Sequence, residues 1–186
     1  MSDDKTYWTL IADGARRGSN RPLLADEHGR RLTARQLHDA ACATAAAFAE
    51  RGIGAGTVVS WQLPTSLETV VVMAALARLG AVQNPIIPIL REAEVGFITD
   101  QLATEFLVVP EFWRGFDHGG LARALSSDRG FDVITVDLAT TPGRRRASAT
   151  PRERRCTHGA TRIRERHPMD LLLVGNHGGP QGDSPY

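Results

Sequence analysis

The run from Thr57 to Ile87, TVVSWQLPTSLETVVVMAALARLGAVQNPII, constrains the fold more than any other part of the chain. Thr57 to Gln62 is β-branched and aromatic, the composition of a strand, and Pro64 closes it. Thr65 with Glu68 offers a capping box in front of LETVVVMAALARL, which is apolar nearly all round and is stopped by Gly80. A helix without a polar face is buried. Ala81 to Ile87 reads as a second strand, with Pro85 at its end or at a bulge because proline cannot donate to a ladder. Strand, helix and strand in this order make a parallel pair with a right-handed crossover. The continuous apolar runs place helices on both faces of the sheet.

Upstream, Thr33 is an N-cap and Gln36 three places later completes a capping box, so a helix begins at Ala34. Leu37, Ala40, Ala41, Thr44, Ala45, Phe48 and Ala49 recur at helical spacing and form one small, apolar stripe facing a core. Gly52, Gly54 and Gly56 end the helix and turn the chain into the strand at Thr57.

These residues also resemble a family. LTARQL followed by an Ala-rich helix, then RGIGAGTVVSWQLPTSLETVVVMAALARLGAVQNPIIP, is similar to the opening of the adenylate-forming acyl-CoA synthetases, the AMP-dependent synthetase and ligase superfamily. Gly54, Gly56, Val58, Leu63, Pro64, Glu68, Gly80, Ala81, Pro85 and Ile86 match the family's pattern, whereas Ala55 and Thr57 depart from its commonest turn residues. The similarity runs from about Trp8 to about Asp137. It consists of scaffold motifs, none of them catalytic. The resemblance implies Mg-ATP-dependent adenylation of a carboxylic acid and transfer of the acyl group to coenzyme A in the intact family member.

The remaining elements extend the same pattern. YWTLIADG, from Tyr7, reads as a short helix with Trp8 and Ile11 or Leu10 inward. Leu23 to Asp26 and the turn EHGR suggest a hairpin leading to Leu32. LREAEVGFITDQLA is a helix with Val95, Ile98 and Leu102 on one face, and EFLVVP from Glu105 is a third buried strand. PEFWRGFDHGG is a loop with three aromatics, LARALSS a short helix, and FDVITVD a fourth strand. The expected fold class is therefore α/β, a partial doubly wound, mostly parallel sheet with flanking helices, and the resemblance implies that residues 1–141 are the N-terminal portion of an adenylation domain.

Past Asp137 the pattern stops. Up to Pro142 the chain carries a net charge of −4, and from Gly143 onward +5. GRRRASATPRERRCTHGATRIRERH has nine Arg, no Lys and one strong aliphatic residue, Ile163, so it cannot bury enough surface to offset its ordering entropy. Residues 142–186 are expected to be a disordered, Arg- and Gly-rich tail. The Arg-rich segment lacks interleaved aromatics and a recognition fold, which argues against specific nucleic-acid binding. GNHGGPQGD, residues 175–183, has no Lys and opens no helix, so it is not a phosphate loop as written.

No residue is assigned a catalytic, cofactor-binding or metal role. His28, His38 and His118 are isolated. His38 and Cys42 stand at i, i+4 on one helix and could touch a metal, but two ligands make a weak site, and an exposed histidine is the better reading. Cys42 reads as a small core residue, and Cys42 with Cys156 is too sparse for a disulfide framework or a zinc site. Asp117 beside His118 lacks a nucleophile and reads as a packed loop. No stretch of about 18 apolar residues offers a membrane span, and MSDDKTYW is unlike a signal peptide. The expected location is cytoplasmic.

The resemblance further implies an ATP loop of the type Y-x-S-G-T-T-x-x-P-K-G near the end of this chain, and the given frame has none. Read one base later, the codons of residues 168–183 permit R-W-I-Y-Y-S-S-G-T-T-A-D-P-K-G. Met169 followed by Asp170 forces the Trp. Asn176 into His177 allows only Thr or Ile, His177 into Gly178 only Thr or Met, and Gln181 into Gly182 only Lys or Arg. The expectation is an acyl-CoA synthetase whose reading leaves its frame between about Asp137 and Arg152, with no cofactor held by this chain and no ligase activity of its own. Apolar faces left uncovered on half a sheet imply self-association or aggregation. The alternative is a stand-alone α/β interaction module, oligomeric through its unpaired sheet edge, with a natural basic tail.

Overall fold

The computed structural model describes residues 6–18, 20–138 and 173–174. Helix α1 (Tyr7–Arg16) is followed by an antiparallel hairpin of β1 (Pro22–Ala25) and β2 (Arg31–Thr33), and then by α2 (Ala34–Glu50). Strand β3 (Val58–Trp61), α3 (Leu67–Leu79), β4 (Val82–Pro85), α4 (Glu92–Gln101) and β5 (Phe106–Pro110) come next. A short hairpin of β6 (Phe112–Trp113) and β7 (Phe116–Asp117) leads into α5 (His118–Arg129) and β8 (Asp132–Val136), and β9 is Leu173–Val174.

The main sheet has the order β4-β3-β5-β8-β9. Its first four strands are parallel, with Val59 opposite Gln83 and Phe106, and Leu107 opposite Val133. Strand β9 joins antiparallel at the β8 edge, Thr135 facing Val174. The expected mostly parallel, doubly wound sheet is present. The chain winds outward from β3 in both directions, so the topological switch point lies between β3 and β5, where such sheets open a crevice at their C-terminal ends.

Three apolar clusters hold the layers together. On one face Val59, Trp61, Phe106, Val108, Ile134 and Val136 pack against Phe48 of α2 and Val72, Ala75 and Leu76 of α3. On the other, Leu107 and Val109 meet Val95 of α4 and Ala122 and Leu125 of α5. Ile11, Leu37, Ala41, Leu67, Val71 and Ala74 join α1, α2 and α3 in a third. Helix α3 is thus enclosed from two sides, by the sheet and by α1 with α2, which is why its sequence has no polar stripe. Each fully buried Val or Leu here is worth roughly 1.5–3 kcal/mol relative to exposure.

Local signals act where the sequence places them. Thr33 accepts from the Gln36 amide while the Gln36 side chain accepts from the Thr33 amide, the complete capping box. Gly80 ends α3 at φ 71°, a left-handed conformation that costs glycine nothing.

Other expectations are corrected. Helix α3 is capped by Ser66, whose Oγ accepts from the Thr69 amide at 3.2 Å, and not by Thr65. Glu68, freed from a capping box, is drawn elsewhere. In α4, Val95 is buried but Leu102 is 43% exposed, because the helix ends at Gln101 and Ala103 turns to φ 48°. Thr99 takes the inward place instead, its hydroxyl donating to the Val95 and Gly96 carbonyls. Within α2, Ala49 is exposed and Ala40 only half-buried. Of Trp8, Leu10 and Ile11, Ile11 is buried and Leu10 is 54% exposed.

PEFWRGFDHGG is a hairpin and a helix start rather than a loop. Its two-residue turn is Arg114 and Gly115, at φ 47° and 79°. Asp117 then caps α5, its carboxylate accepting from the Gly120 amide at 2.7 Å. Gly119 packs beneath the Glu111 carboxylate, which a Cβ there would displace. The structureless tail expected over 142–186 lies outside the described residues, apart from Leu173–Val174, which form a strand.

Candidate functional site

Two polar clusters sit at the C-terminal end of the parallel sheet, on its opposite faces. The first joins the β1–β2 hairpin to the start of α3. Asp26 opens a turn in which its carboxylate accepts from the backbone amides of His28 (3.0 Å) and Arg30 (2.9 Å). That turn aims the Arg30 guanidinium at Glu68, with Nη1 2.5 Å from Oε1, while Nε holds Asp26 at 2.5 Å. Glu68 is only 2% exposed. Burial pushes the Glu68 carboxyl pKa upward. The Arg30 hydrogen bond and charge, the helix amide and Ser66 outweigh that and hold it below the ordinary value. Asp26 is lowered likewise, desolvation being outweighed by Arg30 and the turn amides.

A cavity of about 70 Å³ lies over this cluster, lined by Asp26, His28, Arg30, Ser66, Glu68 and Trp113 among others. It is a small, polar cleft with room for ordered water. Its carboxylates are already engaged by Arg30. No group of three His, Cys, Asp or Glu able to hold a metal occurs among the described residues.

The second cluster is at the switch point. Gln62 follows the last residue of β3 and is buried, its Nε2 donating to the carbonyls of Ile87 and Leu90 at 3.0 Å each. Its Oε1 therefore faces His118 Nδ1, 3.1 Å away, on the first turn of α5. His118 is 1% exposed and lies edge-on to Phe116 (4.9 Å) and tilted to Trp113 (6.2 Å). Burial, aided by the nearby Arg91 charge and opposed by Asp117, lowers the His118 pKa. Arg91 lies 3.9 Å over the Phe116 ring and Arg114 4.7 Å over Trp113. Phe116 and Trp113 face each other across the hairpin, so two cations flank a platform of two rings. Neither arginine pairs with a carboxylate among the described residues. Glu111 is neutralised by Arg123 at 2.7 and 3.1 Å.

The three histidines weighed from the sequence are not brought together. His28 is on the hairpin turn. His38 stacks on Trp8 at 5.1 Å with Nδ1 2.9 Å from Asp39, and its ring nitrogens lie 3.8 and 3.9 Å from Cys42 Sγ. Cys42 is half-buried, not a core residue, because the inward face of α2 belongs to Leu37, Ala41 and Ala45. Cys156 lies outside the described residues. Gln62, Arg30, Arg91 and Arg114 were not singled out in the sequence. The available signals were a glutamine closing an apolar strand and an arginine in a hairpin turn where asparagine is usual.

A family model described as AMP-binding enzyme matches residues 11–174. The salicyl-AMP ligase / salicyl-S-ArCP synthetase of Mycobacterium tuberculosis is 36% identical over 129 residues, covering 67% of this chain and 23% of that protein. The medium-chain fatty-acid–CoA ligase of Escherichia coli is 29% identical over 108 residues, covering 58% and 19%. Among solved structures, the Klebsiella oxytoca NpsA N-terminal subdomain in complex with anthranilyl-AMSN superposes with a TM-score of 0.58 at 21% identity, covering 70% of this chain and 31% of that one. That likeness is one of fold. The chain spans about a quarter or less of the length of these curated relatives.

Proposed function

The chain belongs to the AMP-binding enzyme family, and we propose on that footing that it supplies the N-terminal part of an ATP-dependent, AMP-forming ligase. The carboxylic acid would attack the α-phosphorus of ATP to give an acyl adenylate and pyrophosphate. The coenzyme A thiol would then displace AMP to give the thioester. The observation that carries this reading is the family match over residues 11–174, shared with relatives named for acid activation.

Within this reading the described residues hold neither the acid nor Mg-ATP. The ring platform with Arg91 and Arg114 offers unpaired positive charge to an anionic co-substrate such as coenzyme A. On this proposal the 186 residues alone are not competent for ligation, because residues 168–183 as translated lack a loop of the family's ATP-binding type, whereas their codons read one base later permit one. This reading rests on what the two frames encode there.

The test is to sequence the coding DNA from codon 130 through several hundred bases beyond codon 186 and to express the frame-restored gene. Acid-dependent exchange of pyrophosphate into ATP, and thioester formation with coenzyme A, are expected of the restored protein and not of the 186-residue chain. A shifted frame that is promptly blocked, with the given frame verified, would overturn the frame reading. A restored protein that forms no adenylate from any of a panel of aliphatic and aromatic acids would overturn the ligase reading.

A further inference from the structure

His118 is the one buried histidine among the described residues, and its surroundings define its protonation state atom by atom. Both hydrogens of the Gln62 amide nitrogen are spent on the Ile87 and Leu90 carbonyls, which fixes the orientation of that amide. The oxygen it turns to His118 can only accept, so Nδ1 carries the imidazole hydrogen. Nε2 is then a bare lone pair, buried and without a hydrogen-bond partner among the described residues. The Nδ1–H tautomer satisfies the contact with Gln62, and a second proton, on Nε2, would find no acceptor among the described residues.

The clamp is also mechanical. Through Gln62 and His118 the end of β3, the 87–90 segment and the start of α5 are tied at one point. The His118 ring supports Phe116 and Trp113, the facing pair of the Phe112–Asp117 hairpin. That hairpin has two short strands and a turn with a non-glycine residue at φ 47°, so little of its own structure keeps it in place.

We propose that Gln62 and His118 form a proton-operated latch on the Phe112–Asp117 hairpin, shut while the imidazole is neutral and opened by a proton on Nε2. A proton there would create a buried cation with no acceptor among the described residues, close to the Arg91 guanidinium. The charges that act on it are Arg91, just before α4, and Asp117 on β7, with Glu94 beside Arg91 and the mutually paired Glu111 and Arg123 beside Gly119. Strand β3 contributes only the neutral Gln62. Glu94 is occupied by the Arg91 amide, and Asp117 by the Gly120 amide. The burial and the Arg91 charge that lower the His118 pKa act in the same direction as this geometry. Opening the hairpin gives the ring water, where the proton is stable, so acid favours the open form. The proposal is independent of the ligase reading.

The experiment is amide hydrogen exchange of the full chain at pH 7.5 and pH 5, corrected for the intrinsic pH dependence of exchange, together with an NMR titration of the His118 ring. The hairpin amides of residues 112–117 are expected to exchange at least about threefold faster at the lower pH while β5 and α2 do not change. The His118 resonance is expected to keep the Nδ1–H tautomer and to titrate below the ordinary histidine range. In His118→Gln, which has no proton to gain, the acid response of the hairpin is expected to vanish. Hairpin exchange that ignores pH, a His118 titration at or above the ordinary range, or an acid response that survives in His118→Gln would each overturn the latch. The ring titration needs no variant, so the proposal stays testable if the substituted chain does not fold.

Discussion

The Asp26, Arg30 and Glu68 cluster and the Gln62 and His118 clamp both bury polar groups at the C-terminal end of one sheet, yet they solve the problem in different ways. On the α3 face the groups are charged, and each charge has a counter-charge within hydrogen-bond distance. On the α5 face they are neutral, satisfied by hydrogen bonds alone, with one acceptor left over. An ion pair tolerates burial because Arg30 keeps a quarter of its side chain exposed and shares its load between two carboxylates. The neutral clamp tolerates deeper burial but depends on a single protonation state. The first cluster is robust near neutral pH, and the second is the point at which a small chemical change is felt.

Several substitutions break this contrast, and the largest effect is expected at Glu68. Glu68→Ala leaves Arg30 half-paired at a buried helix start and should destabilise the chain by about 3 kcal/mol in urea unfolding, the low end for a broken buried pair because Arg30 still reaches water and Asp26. Gln62→Ala orphans two carbonyls and the His118 Nδ1–H and should cost about 2 kcal/mol, a typical penalty for buried groups left unsatisfied. A Gln62→Ala loss clearly larger than that of Glu68→Ala would reverse the ranking and make the neutral clamp the stronger tie.

Acid separates the clusters further. Both lose stability as pH falls, because each binds protons less readily folded than unfolded, but in different windows. His118, lowered from its ordinary value by burial first and Arg91 second, begins to cost stability below about pH 6.5, the ordinary imidazole value. Glu68 and Asp26 stay ionised in the folded chain below their ordinary values, so their contribution is lost only below about pH 4. Urea midpoints measured across pH should therefore fall in two steps. His118→Gln should abolish the upper step alone, and Glu68→Gln should blunt the lower. A single step near pH 4 would show that the clamp does not titrate.

The smallest expected effect concerns which residue caps α3 beside the charged cluster. Ser66→Ala should cost about 1 kcal/mol, as for a lost N-cap. Thr65→Ala should stay within about 0.5 kcal/mol, as for an ordinary surface substitution. Equal losses at both positions would restore the Thr65 cap read from the sequence.

That capping error marks the limit of legibility. Thr33 with Gln36 was readable because both halves of the box lie within one turn and nothing else competes for Gln36. Thr65 with Glu68 has the same spacing and failed because Arg30, 38 residues upstream, offers Glu68 a full counter-charge. The parallel strands were readable from apolar runs, and the covering of α3 from its missing polar face. The hairpin at Phe112 was not, since a two-residue strand has no period to detect. Nor was the Gln62 and His118 clamp, whose partners stand 56 residues apart and meet only because the crossovers around β3 and β5 bring their ends together. Leu102 misled because helical spacing was continued one residue beyond the helix.

Local order in this protein was determined by the sequence itself: where α2 begins, where α3 stops, which runs are strands, and that the sheet is parallel and covered. Those features depend on hydrogen bonds within a turn and on apolar periodicity, both of which act between near neighbours in the chain. Which buried polar groups become partners was decided only by the tertiary structure. A buried carboxylate or imidazole takes whatever counter-group the packed layers bring within about 3 Å, and at separations of 38 and 56 residues that is a property of the assembled sheet.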